Sequence, residues 1–167
     1  LRFKMKRTTP WNELFVTWFY LGKLPKAPGT FGTLGAIPLV IGLSFFDYWV
    51  FIFSVVLLAV AGIIGCQIYE SQNQTHDSSE MVIDEVVGMC ITMALIPITW
   101  QSMVIGFILF RILDIFKPFP IGLLDQRVAG GFGVMVDDIV AGLIANILMQ
   151  ILLTKTTLLG VQMSIGF

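Results

Sequence analysis

The sequence predicts an all-α membrane protein: a polytopic helical bundle with short or broken transmembrane helices and an N-terminal interfacial helix. The 167 residues are 56% hydrophobic and only 13% charged, whereas a soluble domain usually carries roughly 25% charged residues. The charges also fall in blocks between long uncharged stretches. This composition excludes a disordered chain and a nucleic-acid-binding surface, and the length allows a single domain over residues 1–167.

Residues 1–33 are predicted to form a cytoplasmic and interfacial segment. Six of the ten basic residues lie in the first 26 positions, and no small-residue cleavage pattern of a signal peptide follows them. Large apolar residues recur among them at helical spacing, namely Trp11, Leu14, Phe15, Trp18 and Phe19. Such a helix, rich in aromatic residues and flanked by cations, is typical of the membrane interface.

Residues 34–154 are predicted to form the helical bundle. Asp47 is the single charge between Leu34 and Tyr69, a stretch longer than the roughly 20 residues that cross a bilayer. A break at residues 44–47 would divide it into two short crossings with Asp47 at the far turn. The uncharged stretch Val86–Phe110 fits either one tilted helix or a hairpin that turns at Pro97. A last uncharged stretch covers Ile139–Thr154.

The topology of the bundle depends on Pro97. If Val86–Phe110 crosses once, the polar loops at residues 70–85 and 111–138 face opposite sides of the membrane. If the chain turns at Pro97, both loops return to the side of the N-terminal segment. Three basic residues of the later loop favour this second topology, in which both loops are cytoplasmic and the helices are tilted or incompletely spanning; they are Arg111, Lys117 and Arg127.

Two acidic pairs stand at the ends of apolar stretches, Asp84–Glu85 and Asp137–Asp138, and Asp77 shares a helical face with Asp84. Each pair alone is explained by a solvated acidic loop, or by carboxylates that compensate a helix dipole. Two pairs entering from one face instead favour a hard divalent cation, because an all-oxygen ligand set suits Mg²⁺ or Mn²⁺.

The basic residues of the later loop supply the second half of a site. Arg111, Lys117 and Arg127 suit an anionic phosphate, although basic residues also commonly flank membrane helices. A metal and cations at a membrane surface together indicate phosphoryl chemistry on a lipid headgroup. His76, the single histidine, is more simply a polar loop residue, and no Ser/His pairing of a catalytic triad is evident.

Four separated motifs, spread from about Pro10 to Gly142, resemble the phosphatidylglycerophosphatase A family. They are Pro25-x-Ala27-Pro28-Gly29-Thr30-x-Gly32-Thr33-Leu34, Asp84-Glu85-x-Val87-Gly88, Phe110-Arg111-Ile112-Leu113-Asp114 with Lys117-Pro118-Phe119-Pro120-Ile121, and Gly130-Gly131-x-Gly133-x-Met135-x-Asp137-Asp138-x-x-Ala141-Gly142. The resemblance implies a multi-pass enzyme of the bacterial inner (cytoplasmic) membrane with its active site on the cytoplasmic face. It implies Mg²⁺-dependent hydrolysis of phosphatidylglycerophosphate to phosphatidylglycerol and phosphate, a step of phosphatidylglycerol and cardiolipin biosynthesis.

The resemblance also implies roles for individual residues. The catalytic residues would be Asp77, Asp84, Arg111, Asp114 and Lys117. The metal ligands would be Asp84, Glu85, Asp137 and Asp138, with Thr30 and Arg127 binding the substrate. The implied partners are the lipid substrate and membrane lipids, with no nucleic acid. The sequence leaves open a homo-oligomer, the number of metal ions, the general base or nucleophile, and activity on other lipid phosphates.

Three other functions compete with a lipid phosphatase. In a small cation transporter or channel component, the carboxylates would line an ion pathway. Here they stand at the ends of the apolar stretches, which favours surface chemistry. In a structural membrane subunit, the polar loops would dock a partner. A phosphotransferase acting on nucleotide-activated lipids would carry an Asp-Gly…Ala-Arg pattern that this chain lacks.

Overall fold

The computed structural model describes residues 9–73, 78–119, 121–123 and 130–161. Every regular element in those ranges is helical, which confirms the predicted all-α class. A 3₁₀ turn covers Leu21–Lys23. The helices of seven residues or more are α1 (Pro10–Val16), α2 (Pro28–Gly35), α3 (Ile37–Leu43), α4 (Tyr48–Asn73), α5 (Ile83–Met93), α6 (Trp100–Phe116) and α7 (Gly130–Lys155).

Two of these helices, α4 and α7, are long and apolar enough to cross a membrane. Each has 26 residues, and their most apolar segments have mean hydropathies of 2.6 and 1.8. At a rise of 1.5 Å per residue each is about 39 Å long, which exceeds the roughly 30 Å hydrocarbon core of a bilayer. Their outward faces carry exposed apolar side chains, among them Phe53 and Leu57 on α4 and Leu143 and Ile147 on α7.

The short helix α5 lies at the centre of the bundle, in contact with α2, α3, α4, α6 and α7. Most of its side chains are buried, including Val86, Val87 and Met89. The last carbonyl groups of a helix have no backbone hydrogen-bond partners. At the end of α5, a side chain of α7 donates the missing hydrogen bonds. The Asn146 side-chain amide donates to the Thr92 carbonyl at 3.0 Å and to the Ala94 carbonyl at 2.7 Å.

Helices α5 and α7 cross at two glycines. A methyl group at position 142 would lie 2.6 Å from the Gly88 carbonyl oxygen, and one at position 88 would lie 3.0 Å from the Asp138 carbonyl oxygen. The first distance is too short for a real side chain and the second is unusually tight, so the two backbones lie in close contact. This crossing lies about one helical turn from Asp84 and Glu85 on α5 and beside Asp138 on α7.

The chain turns between α5 and α6. Gly88 packs against the Phe110 ring, and Gly106 packs against Met93, so the two helices run antiparallel. Leu95 has a positive φ of 60° in the connection. Thr99 and Ser102 then begin α6 with a capping box, in which each side chain bonds the other's backbone amide. Of the two alternatives for Pro97, the structure has the hairpin, which brings both ends of the pair to one end of the bundle.

The predicted break at residues 44–47 is present, because α3 ends at Leu43 and α4 begins at Tyr48. The predicted loop bounds were wrong, since α4 continues through Glu70 to Asn73 and α7 already begins at Gly130. Tertiary packing extends α4 past its apolar stretch: Tyr69 is buried and its hydroxyl donates to the Glu80 carboxylate at 2.7 Å. Asp137 and Asp138 consequently lie in the third turn of α7 and not at its mouth.

The N-terminal helix is shorter than its sequence spacing predicts. Helix α1 ends at Val16, and the next residues leave the helical conformation, with φ values of 44° at Trp18 and 58° at Phe19. The Trp18 indole N–H donates to the Gly35 carbonyl at 2.8 Å, so a contact with α2 competes with continued helix. Trp11 is 80% exposed, and the Asn12 side chain ties α1 to the Gly65 carbonyl of α4 at 3.1 Å.

Candidate active site

A cavity of about 450 Å³ lies at the end of the bundle where the connections before α5 and after α6 meet. It is formed by the first turns of α2 and α5, the last turn of α6 and the third turn of α7. Eight residues that the sequence analysis selected line it together: Thr30, Asp84, Glu85, Arg111, Asp114, Lys117, Asp137 and Asp138. The other two selected residues, Asp77 and Arg127, lie outside the described residues.

Three carboxylates converge on one point of the cavity. Asp84, Glu85 and Asp138 each offer an oxygen, and these oxygens all lie within 4.8 Å of one another. Burial raises the pKa of Asp84 well above its usual range, and the negative charge of Glu85 adds to this effect. Burial likewise raises the pKa of Glu85. The three groups therefore repel one another unless a proton or a cation lies among them.

A divalent metal ion fits this cluster. Asp84 Oδ1, Glu85 Oε2 and Asp138 Oδ2 are buried and have no hydrogen-bond partner within the described part of the chain. Buried acceptors without donors are costly, and a cation would satisfy all three at once. An all-oxygen donor set is the type that Mg²⁺, Mn²⁺ and Ca²⁺ prefer.

The fourth predicted ligand, Asp137, does not join the three. Its Oδ2 accepts a hydrogen bond from Lys117 Nζ at 2.7 Å. Neighbouring residues of an α-helix point about 100° apart. Asp137 therefore faces the end of α6, whereas Asp138 faces α5.

The cationic side of the cavity is built at the end of α6. Arg111 Nη1 donates to Asp114 Oδ2 at 2.5 Å, one turn further along the same helix. The Arg111 Nε is buried without a hydrogen-bond partner among the described residues. Lys117 adopts a left-handed conformation with φ of 43°, which ends α6 and directs the chain away. Two cations thus line the same cavity as the carboxylate cluster, each paired with its own aspartate.

The first turn of α2 closes the remaining wall. Pro28 occupies the start of the helix, where its fixed φ suits a first turn and its missing N–H costs nothing. A methyl group at position 29 would collide with Glu85 Oε1 and would lie 3.1 Å from Arg111 Nη1. The glycine therefore lets a carboxylate and a guanidinium pack directly against the backbone. Thr30 follows it at the cavity wall.

The cavity also contains residues that the sequence analysis did not select. Ser78 and Ser79 line it beside the carboxylates. They belong to the polar stretch before α5, where no spacing or motif separates them from solvated loop residues. The sequence indicated them only by their position, directly after Asp77.

Comparisons with known proteins agree on one family. The sequence profile described as phosphatidylglycerophosphatase A matches residues 14–153. The chain is 40% identical over 143 residues to phosphatidylglycerophosphatase A of Escherichia coli (strain K12), which covers 85% of this chain and 83% of that protein. It is 39% identical over 137 residues to phosphatidylglycerophosphatase A of Haemophilus influenzae, with coverages of 81% and 84%.

A third relative carries a different name. A Bacteroides thetaiotaomicron protein, provisionally named a phosphatidylinositol-3-phosphatase, is 38% identical over 155 residues, covering 88% of this chain and 96% of that protein. No solved structure matches the chain.

These similarities, together with the carboxylate and cation cavity, define the class of the protein: it is a phosphatase, a phosphoric monoester hydrolase. Within that class, the chain belongs to the phosphatidylglycerophosphatase A family. The resemblance drawn from the four motifs is confirmed.

Proposed function

We propose that this protein is a Mg²⁺-dependent lipid phosphatase that hydrolyses phosphatidylglycerophosphate to phosphatidylglycerol and phosphate, in the synthesis of phosphatidylglycerol and cardiolipin. One observation carries the proposal. In a chain of this family, a cluster of three carboxylates and two cations line a single cavity. The names of the Escherichia coli and Haemophilus influenzae relatives support the substrate.

One group of residues would bind the metal ion and another would bind the phosphate. Asp84, Glu85 and Asp138 would hold Mg²⁺, which, when bound, would acidify a coordinated water and offset charge on the phosphoryl oxygens. Arg111 and Lys117 bind the remaining phosphoryl oxygens. Asp114 and Asp137 orient these two cations through their ion pairs. Asp137 also stays the fourth proposed metal ligand, because its ion pair with Lys117 uses one of its two carboxylate oxygens.

Three further residues complete the proposed site. The Thr30 hydroxyl, on the first turn of α2, donates to the phosphate, and the positive end of that helix dipole favours the anion. Asp77 is proposed as the general base and Arg127 as a second phosphate contact, in keeping with the catalytic and substrate-binding roles that the resemblance implies for them. Both lie outside the described residues.

The proposed setting is the bacterial inner membrane, with the cavity on the cytoplasmic face of a polytopic bundle. Helices α4 and α7 would be full crossings, and the hairpin of α5 and α6 would enter from the cytoplasmic side. The exposed aromatic side chains of Trp11, Phe19 and Tyr20 support an interfacial position for the N-terminal segment, and Lys23 Nζ lies 5.3 Å from the centroid of the Tyr20 ring.

The activity is tested by phosphate release from phosphatidylglycerophosphate by the purified protein in detergent. We expect release with Mg²⁺, loss with excess chelator, and recovery when Mg²⁺ is returned. Absence of release from folded, metal-supplied protein would contradict the proposal and favour a transport or subunit function.

Replacement of a metal ligand gives a sharper prediction. Asp84→Asn should lower kcat at least a hundredfold and weaken Mg²⁺ binding in a calorimetric titration, because it removes one charge from the three-carboxylate cluster. The exposed Asp47, in the turn before α4, provides the control. Asp47→Asn should keep both properties, and near-normal turnover by Asp84→Asn would refute the ligand assignment.

The Bacteroides thetaiotaomicron relative favours a second substrate, a phosphorylated inositol lipid. The same assay with phosphatidylinositol-3-phosphate compares the two headgroups. We expect a higher kcat/KM for phosphatidylglycerophosphate, and the reverse order would exchange the two candidate substrates.

A further inference from the structure

One side of the cavity is formed by a short segment without regular secondary structure. Residues 78–82, here named the wall segment, lie directly before α5, and Ser78, Ser79 and Met81 line the cavity. The Met81 amide donates to the Ser78 carbonyl at 2.9 Å, which closes a turn. Neither a helix nor a sheet ladder holds such a segment in place, so its position depends on contacts with its neighbours.

The N-terminal part of the chain holds the main chain of the wall segment. The Val82 amide donates to the Val16 carbonyl, at the end of α1, at 2.9 Å. A methyl group at position 22, in the 3₁₀ turn, would collide with the Glu80 carbonyl oxygen. One at position 32, on α2, would lie 2.6 Å from Val82 Cβ. The wall segment is therefore packed closely against the 3₁₀ turn and α2.

A side-chain contact joins the wall segment to α4. Glu80 Oε2 accepts a hydrogen bond from the Tyr69 hydroxyl at 2.7 Å. Tyr69 is 1% exposed, and a buried tyrosine hydroxyl normally requires a hydrogen-bond partner. Glu80 is not among the described residues that line the cavity. Its carboxylate is thus engaged by a membrane-crossing helix, whereas its neighbours in the chain line the site.

A cation lies near the same carboxylate. Lys23 forms an ion pair with Glu13. The hydrogen bond with Glu13, together with the negative charges of Glu13 and Glu80, raises the pKa of Lys23. A nearby cation favours the ionised form of Glu80, and an ionised carboxylate accepts a stronger hydrogen bond from a hydroxyl than a neutral group does.

These contacts hold the two ends of the wall segment differently. Val82, next to α5, is fixed by the main-chain contacts with α1 and α2. The turn that carries Ser78 and Ser79 begins on the other side of Glu80 in the chain. Loss of the Tyr69 hydroxyl should therefore release this turn and leave the metal-binding end of α5 in place.

We propose that Tyr69 is a positioning residue of the phosphatase. Through Glu80 it holds the wall segment so that the hydroxyls of Ser78 and Ser79 contact the phosphorylated glycerol of the substrate. Serine hydroxyls both donate and accept hydrogen bonds, which suits phosphate oxygens and a glycerol hydroxyl. The inference rests on the proposed function and deepens it. It assigns control of turnover to a buried side chain outside the cavity.

The first test is kinetic, with phosphatidylglycerophosphate in detergent. Tyr69→Phe should lower kcat/KM about tenfold, because a displacement of about 1 Å in an oriented site can cost a hundredfold. Its Mg²⁺ affinity, measured by calorimetry, should stay within twofold of the unsubstituted protein. Tyr48→Phe is the matched control, since Tyr48 is 53% exposed at the opposite end of α4, and both of its values should be unchanged.

Substitutions of Glu80 test the same hydrogen bond from its other partner. Glu80→Leu should lower kcat/KM as much as Tyr69→Phe, and the double variant should lose no more than either single variant, because each change breaks the same bond. Glu80→Gln keeps an oxygen that accepts from the hydroxyl and should retain most of the activity.

A spin label gives a readout that does not depend on turnover. A nitroxide attached to Ser79→Cys reports the mobility of the wall segment, and the native thiols of Cys66 and Cys90 are buried. Tyr69→Phe should narrow the lines of its electron paramagnetic resonance spectrum, whereas Tyr48→Phe should leave them unchanged.

A kcat/KM of Tyr69→Phe within twofold of the unsubstituted protein, independent losses in the double variant, or equal mobility at position 79 would overturn the positioning function. A parallel loss of Mg²⁺ affinity would also overturn it, because the effect would then lie at the carboxylate cluster. Absence of phosphate release by the unsubstituted protein would instead overturn the proposed function, and with it the effect of Tyr69 on turnover.

Discussion

Position 29 shows how a missing side chain shapes the cavity. Its backbone touches the Glu85 carboxylate and the Arg111 guanidinium, which belong to opposite halves of the proposed site. A methyl group there would push the metal-binding group and the phosphate-binding group apart.

Gly29→Ala should therefore lower kcat about a hundredfold, the loss that a displacement of about 1 Å causes in an oriented site. Gly42→Ala is the control, because a methyl group at position 42 meets no atom within 4 Å. That variant should keep full activity and gain up to about 1 kcal/mol of stability, as expected when alanine replaces glycine within a helix. Steady-state kinetics and unfolding in detergent measure both effects, and normal turnover by Gly29→Ala would contradict the close packing.

Residue chemistry in the sequence predicted much of the cavity but not the separation of Asp137 from Asp138. The carboxylates and cations were recognised from their types, their positions beside apolar stretches and the family motifs. From the sequence alone, Asp137 and Asp138 are expected at the end of an apolar stretch, as a pair that binds one cation. Because α7 begins at Gly130, the pair lies within regular helix and its two side chains diverge. Where a glycine-rich segment starts its helix is decided by tertiary contacts, here the hydrogen bond from the Gly131 amide to the Gln67 side chain.

At the scale of the elements, α5 depends on a cap supplied by another helix. Asn146→Leu would leave the Thr92 and Ala94 carbonyl oxygens without their donor and should cost about 2 kcal/mol of unfolding free energy. Gln150→Leu, one turn further along α7, removes a longer 3.5 Å bond to the Leu95 carbonyl and should change stability by less than about 0.5 kcal/mol. Denaturant titration in detergent compares the two variants. Equal stabilities would show that the Asn146 cap contributes little.

An element boundary was predictable where residues close to it in the sequence determine it. The break before α4 was visible as the interruption at Asp47. The early end of α1 was not predictable from spacing, because the Trp18 bond to Gly35 joins residues that are neighbours in space alone. For Pro97, the sequence allowed a kink or a turn, and the basic residues of the later segment favoured the turn that the structure has.

At the scale of the whole molecule, the all-helical class followed from composition, whereas the central position of α5 did not. Apolar stretches reveal which segments avoid water. They do not distinguish a helix surrounded by protein from one surrounded by lipid. The two longest helices carry exposed apolar faces, and the short helix between them is the buried one.

The proposed orientation in the membrane can be measured with two matched cysteine substitutions. Ser79→Cys, at the cavity, should react with a membrane-impermeant maleimide in inverted vesicles alone. Ser44→Cys, in the turn between α3 and α4, should react from the opposite face. The native thiols of Cys66 and Cys90 are buried and should stay unlabelled. Labelling of both substituted positions from one side would contradict a crossing between them.

The contact between Gly88 and Gly142 has a consequence for the choice of metal ion. It brings the backbones of α5 and α7 into contact, with the Phe110 ring packed against Gly88 and Ile91 packed against Gly142. The distance between the carboxylates of Asp84 and Glu85 on α5 and that of Asp138 on α7 therefore depends on how closely the two main chains approach. Mg²⁺ demands short, near-octahedral coordination, whereas Ca²⁺ accepts longer bonds and more ligands. If this spacing cannot widen, the site should bind Mg²⁺ in preference to Ca²⁺. That preference would then depend on a helix crossing that does not contact the ion.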